Sequence, residues 1–279
     1  MIITFWGARG SIPVSGPEYL TYGGDTTCVE IRTKNDYVII VDAGSGIRRL
    51  GNRLLAERRF ECTIVFTHAH LDHLVGFPFF KPLYFSKSDI TLCGCPFTQE
   101  TVKDMISHVM TPPYFPVNLD DIKARITYEG ECTGSFDIDS VSVTPVFLSH
   151  PNRGLGYRFT EDGNSFVFLT DNELTFRHTG GLDFEDYVRC AADADILVHD
   201  AEFTAEEYTR TRGWGHTVYS DAVRLALDAG VRMLGLFHHN QNRSDEGIDR
   251  LVEDSRRIIA EHDSSLFCFA VYQDMTIEL

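Results

Sequence analysis

The segment His68-Ala69-His70-Leu71-Asp72-His73 sets four metal-binding side chains within six positions, directly after the apolar run Cys62–Phe66. Imidazole together with carboxylate suits zinc, iron, nickel or manganese. A turn leaving a strand can aim alternate side chains to one side, so His68 and His70 could share one ion while Asp72 and His73 reach a second. Further candidates recur downstream in matching contexts. His150, Asp171 and His238 each follow an apolar, β-like run: SVTPVFLSH, SFVFLTD and MLGLFH. Three strand-end ligands and the first cluster make a set of seven.

Other residues read as supporting chemistry. Asp42 ends the run YVIIVD before Ala43-Gly44-Ser45-Gly46 and could cap the next helix. The glycines of Gly7–Pro13 and Tyr22–Cys28 let backbone approach a ligand closely. Arg9, Thr26 and Thr27 are candidate substrate contacts there. Thr111–Val117 is an aromatic, proline-stiffened loop whose Tyr114 and Phe115 could stack a base or serve as a core plug or dimer contact. Arg153 follows His150 closely and could touch a phosphate. His108, His178 and His262 have no motif around them and read as structural or exposed.

Short β-rich runs must position these groups. Ile2–Trp6 reads as a strand, and Cys28–Thr33 with Tyr37–Asp42 as a hairpin around Lys34-Asn35-Asp36. Further strands are expected at Cys62–Phe66, Asp89–Leu92, Ala124–Tyr128, Ser142–Phe147, Leu155–Phe159, Ser165–Leu169, Ile196–His199, Met233–Phe237 and Phe267–Val271. Helical spacing covers Ser45–Arg58, Thr98–Met110, Phe184–Ala192, Ser220–Asp228 and Glu246–His262. Strands in both halves with interspersed helices imply two sheets with helices outside, an α/β layered architecture. No linker or repeat divides the chain, so one domain over residues 1–279 is expected.

Composition narrows the partners. The chain of 279 residues has 43% hydrophobic residues, enough for a sizeable core. Its net charge of −16 repels phosphate backbones at long range, which argues against a long nucleic acid as partner. No apolar run approaches a membrane span or a signal peptide. The seven cysteines are odd in number and scattered, which reads as free thiols in a reducing cytoplasm, Cys93 and Cys95 included.

The order T-H-A-H-L-D-H, S-H-P, L-T-D, F-H-H resembles the metallo-β-lactamase superfamily over most of the chain. That resemblance implies a four-layer αββα sandwich with a dinuclear site at the sheet edges. By it, His68, His70 and His150 hold one ion, Asp72, His73 and His238 the other, and Asp171 bridges. His238 is preferred over His239 because it directly follows its strand. Two divalent ions are implied, zinc foremost, with manganese, nickel or iron as alternatives. Asp42 would hold a ligand histidine in its tautomer.

His199-Asp200-Ala201-Glu202 and Gly215-His216-Thr217 resemble the ribonuclease Z and small-phosphodiesterase branch. There a carboxylate orients a later histidine that protonates the leaving oxygen. Asp200 and His216 take those places, with Asp72 as a third catalytic candidate. Only 21 positions separate His150 from Asp171, too few for the tRNA-clamping arm many ribonuclease Z enzymes carry there. The resemblance therefore points to a small phosphodiester, a cyclic nucleotide first, as in the anti-Pycsar enzymes. The alternatives are a tRNA 3′-processing endonuclease, a cyclic-ribose-phosphate phosphodiesterase, and a non-catalytic metal- or ligand-binding protein. Homologues of this type are often homodimers, so a homodimer is expected.

Overall fold

The computed structural model describes residues 1–94, 101–129 and 134–279. The first half lays down β1 (Ile2–Gly7), β2 (Cys28–Arg32), β3 (Val38–Val41), α1 (Ile47–Ala56), β4 (Glu61–Phe66), β5 (Asp89–Gly94), α2 (Val102–Val109) and β6 (Arg125–Glu129). The second half adds β7 (Phe136–Ile138), β8 (Val141–Leu148), β9 (Gly154–Glu161), β10 (Asn164–Leu169), α3 (Phe184–Ala191), β11 (Ile196–Asp200), α4 (Ala205–Thr211), α5 (Tyr219–Asp228), β12 (Met233–Phe237), α6 (Asp245–Glu261), β13 (Phe267–Ala270) and β14 (Thr276–Glu278).

These strands form two seven-stranded sheets, ordered β14-β1-β2-β3-β4-β5-β6 and β13-β12-β11-β10-β9-β8-β7. Both share one pattern. The β14/β1/β2/β3 and β7/β8/β9/β10 runs pair antiparallel, and the β3/β4/β5/β6 and β10/β11/β12/β13 runs pair parallel.

The central strands of each sheet are apolar on both faces, as strands covered on both sides must be. Phe5, Ile31, Val41 and Val65 of one sheet meet Tyr157, Phe166, Val198 and Phe237 of the other in a common inner core. Ile47, Leu50 and Leu54 of α1 cover the outer face of the first sheet. Val223 of α5 and Ile248 and Leu251 of α6 cover that of the second. The layers run α, β, β, α, as expected from the sequence.

Observed bounds differ from the sequence reading by a residue or a few. The helix expected over Thr98–Met110 begins at Val102, with Thr101 Oγ1 accepting from Asp104 N, while 98–100 lie outside the described residues. β7 and β14 were not anticipated, because three residues carry no usable alternation. α4 was also missed, since none of its residues is buried and no apolar stripe marks it. Its Thr204-to-Glu207 capping box was legible nonetheless. Cys28, Cys62, Cys190 and Cys268 are free thiols. Cys93 is disulfide-bonded, which corrects the all-thiol reading: an odd count excludes complete pairing, not one pair. Cys95 and Cys132 lie outside the described residues. Among the described residues, no helix is long and apolar enough to cross a membrane.

Candidate metal centre

The C-terminal ends of β3, β4, β8, β10, β11 and β12 meet at one edge of the sandwich, and the chemistry-bearing residues sit there. After β4 the chain turns through His68–His73. Asp42, at the end of β3, holds that turn. It accepts from Thr67 N at 2.8 Å and Thr67 Oγ1 at 2.7 Å. Its Oδ2 also accepts from His73 Nδ1 at 2.7 Å, which leaves His73 Nε2 facing inward. The helix-capping alternative does not apply, because α1 starts behind Gly46 with no side-chain cap.

Two groups of side chains converge, His68, His70, His150 and Asp171, and Asp72, His73, Asp171 and His238. Within each, the ligand atoms lie within 4.8 Å of one another. Asp171 belongs to both. One of its oxygens is 3.4 Å from His73 Nε2, and the other is 3.4 Å from both His68 Nε2 and His238 Nε2. His68 Nε2 and His73 Nε2 are buried without a hydrogen-bond partner. Buried polar atoms are normally satisfied. Imidazole nitrogens left bare, aimed at a shared carboxylate at more than hydrogen-bond contact, are the donor set a divalent cation fits.

The outward nitrogens of His150 and His238 are engaged. His150 Nδ1 donates to Gly215 O at 2.9 Å, and His238 Nδ1 donates to Glu202 Oε2 at 3.0 Å. Two close approaches explain nearby glycines. A Cβ at Gly10 would stand 2.3 Å from His238 Nδ1, and one at Gly215 2.1 Å from His150 Nδ1. His239 points elsewhere, its Nε2 donating to Val271 O at 2.8 Å. Three strand-end residues, Asp42, Asp171 and His238, hold left-handed backbone, with φ of 61°, 54° and 56°.

Beside these groups lies Asp200, whose Oδ2 accepts from His216 Nδ1 at 2.7 Å. Burial alone would lower the His216 pKa; the Glu202 and Asp200 carboxylates overcome it and push it up to about 9. Burial likewise opposes charge on His73 and His238, yet the surrounding carboxylates raise both well above the ordinary imidazole range. The aspartates answer in kind. Burial disfavours the Asp171 carboxylate, but His238, His73 and His68 hold its pKa well below normal. His70 is lowered to about 4, by burial first and His68 next.

The remaining candidates are not brought together with this centre. Arg9 is almost fully buried and clamps loops: it donates to Gly23 O, Asn240 O and Arg243 O. Thr26 is buried too, its Oγ1 accepting from Ser45 N. Thr27 is buried with an unpartnered hydroxyl. Tyr114 stands in solvent, and Phe115 packs edge-on against Phe79. Arg153 is exposed.

Two buried carboxylates, Glu173 and Glu202, were given no role in the sequence reading. Glu202 anchors His238 and Asn240. Glu173 accepts from Gly213 N at 2.7 Å, Gly215 N at 2.8 Å and Tyr208 Oη at 2.5 Å, and His178 Nε2 donates to it at 2.8 Å. It fixes the loop that carries His216. Each lies two positions beyond an aspartate at or just past a strand end.

Residues 37–239 match the family model for the beta-lactamase superfamily domain, and the chain belongs to that family. It is 24% identical over 300 residues to a ribonuclease Z of Haloarcula marismortui, covering 92% of this chain and 91% of that one. Its fold resembles the metallo-beta-lactamase fold protein YhfI from Bacillus subtilis, with a TM-score of 0.72 and 16% identity, covering 100% and 98% of the two chains. It also resembles a diphosphatase of the PhnP family, with a TM-score of 0.69 and 16% identity, covering 100% and 97%. Family and clustered His and Asp side chains together define a metal-dependent hydrolase.

Proposed function

We propose that this protein is a dinuclear metal-dependent phosphodiesterase that opens a small cyclic phosphodiester, a cyclic nucleotide first. The observation that carries the reading is the Asp200–His216 pair beside the convergent His/Asp groups. His68, His70 and His150 would hold one ion, Asp72, His73 and His238 the other, with Asp171 shared. When bound there, two divalent ions, zinc foremost, supply positive charge for the phosphate oxygens and Lewis-acid activation of water.

The chain's own residues do the rest. Asp200 holds His216 at Nδ1, so Nε2 carries the proton that the leaving alkoxide takes. The two nearby carboxylates keep that proton in place at neutral pH. Glu202 fixes His238, Gly215 O fixes His150, and Asp42 fixes His73. The 150–171 segment supports the small-substrate reading: it is occupied by β9 and β10, an antiparallel pair joined at 162–163.

Ribonuclease Z relatives favour a second reading, removal of a tRNA 3′ trailer. One assay separates them. Metal-loaded protein is offered a cyclic-nucleotide panel, bis-p-nitrophenyl phosphate and a precursor tRNA. Preferential opening of one cyclic nucleotide, lost in Asp171→Ala, supports the first reading. Cleavage of the precursor tRNA alone replaces it with the second.

A further inference from the structure

A cleft of ≈ 640 Å³ opens beside His216 and holds groups the proton-transfer scheme does not use. Ser11 and His216 tie it to the metal centre, since both line it and Ser11 N donates to Asp72 Oδ2 at 2.9 Å. Trp214, Gln241, Glu206 and Arg210 also line it.

Trp214 is 63% exposed, an unusual place for the largest apolar side chain. Its backbone is nevertheless fixed. Trp214 N donates to Thr211 O at 2.9 Å, and both flanking glycines donate to buried Glu173. The indole is thus presented on a held loop two residues from His216. Gln241 supplies the complement: its Oε1 is buried in the cleft wall with no hydrogen-bond partner. An open π-face and an unused acceptor beside a phosphate-handling centre suit a flat, edge-polar ligand, which is the description of a nucleobase. The volume falls in the range of ordinary small-molecule sites.

We propose that this cleft is the base subsite of a cyclic nucleotide, with Trp214 stacked on the base and the Gln241 side chain, turned out from the cleft wall, accepting from its exocyclic amine through Oε1. The Glu206 carboxylate and Gln241 Oε1 supply acceptors for an exocyclic amine, while Arg210 supplies donors for a base or ribose oxygen, so bases that carry an exocyclic amine are expected to bind better than uracil. This inference rests on the small-diester reading above.

The test compares wild type, Trp214→Ala, Trp214→Phe and Gln241→Ala on cyclic AMP, cyclic UMP and the same cyclic ribose phosphate lacking a base. Trp214→Ala is expected to lower kcat/KM for cyclic AMP by about 5- to 150-fold, the range of one base stack. The baseless substrate is unaffected, and Trp214→Phe keeps most of the rate. Gln241→Ala brings cyclic AMP and cyclic UMP closer together. Equal loss on nucleotide and baseless substrate would make Trp214 a loop support and overturn the subsite. So would a wild type that treats the two alike, although the diesterase reading would then stand.

If no diester is cleaved, that reading fails, and binding decides the subsite alone. Adenosine 3′-monophosphate should quench Trp214 fluorescence while ribose 5-phosphate does not. Absence of quenching overturns the proposal.

Discussion

The two halves of the molecule build the centre in opposite ways. In the first, a single turn between Thr67 and His73 carries His68, His70, Asp72 and His73, and one carboxylate, Asp42, ties it down. In the second, His150, Asp171, Asp200 and His238 stand at or just past the ends of four different strands, β8, β10, β11 and β12. Their relative placement depends on sheet register: Leu169 pairs with His199, and Asp200 with Phe237. A contiguous ligand set is fixed by local backbone. A dispersed set is fixed only once the sheet has formed.

The sharpest way to break this contrast is Asp171→Ala. Asp171 belongs to both groups, so its loss should empty both halves together: metal content by elemental analysis and hydrolysis should fall to background. Retention of one ion at the Asp72/His73/His238 group would show the halves to be independent. Next is His216→Ala, expected to cut kcat by about 10²–10⁴-fold with metal content intact. An unchanged rate removes His216 from the chemistry. In Asp200→Asn, one carboxylate that raises His216 is gone, so the basic limb of the pH–rate profile moves to lower pH.

The outer supports compare the halves directly. Asp42→Ala in the first and Glu202→Ala in the second should each weaken metal binding or activity by about 10- to 100-fold. Tight apparent affinity in both variants would mean that neither histidine needs its partner.

Acidification should act on both halves. Burial opposes charge on metal-free His73 and His238, but neighbouring carboxylates raise their pKa values well above the ordinary imidazole range and so favour the protonated form. A ligand imidazole must be neutral, so each displaced proton costs up to about tenfold in affinity per pH unit of acidification below its pKa. A competitive-chelator titration between pH 6 and 8 should show affinity rising with pH; a flat profile contradicts the raised values. The smallest effect is expected at Tyr114→Ala, within about 0.5 kcal/mol in denaturant unfolding, because the side chain is almost wholly in solvent.

The same contrast explains what the sequence could reveal. The layered architecture was readable because short apolar runs recur through both halves, and the His68–His73 turn because its candidate ligands are neighbours. His150, Asp171 and His238 were found one at a time, by the apolar run preceding each. The loop-clamping place of Arg9 was not legible, since only the folded chain brings Gly23, Asn240 and Arg243 around it. Glu173 and Glu202 were given no role for a related reason: Gly215, whose N donates to Glu173, is 42 positions away, and His238, which donates to Glu202, is 36. Trp214 was passed over because exposure is a property of the fold, not of the residue.

The left-handed backbone at Asp42, Asp171 and His238 has a consequence for descent. An L-residue there costs about 1–2 kcal/mol that glycine avoids, though aspartate tolerates it better than most. At these positions the substitution that deletes the side chain also relaxes the main chain. Asp171→Gly should therefore be more stable than Asp171→Ala. A lineage released from selection on catalysis could drop its metals without dismantling its sheets, which makes this scaffold easy to inherit as a shape after its chemistry has gone.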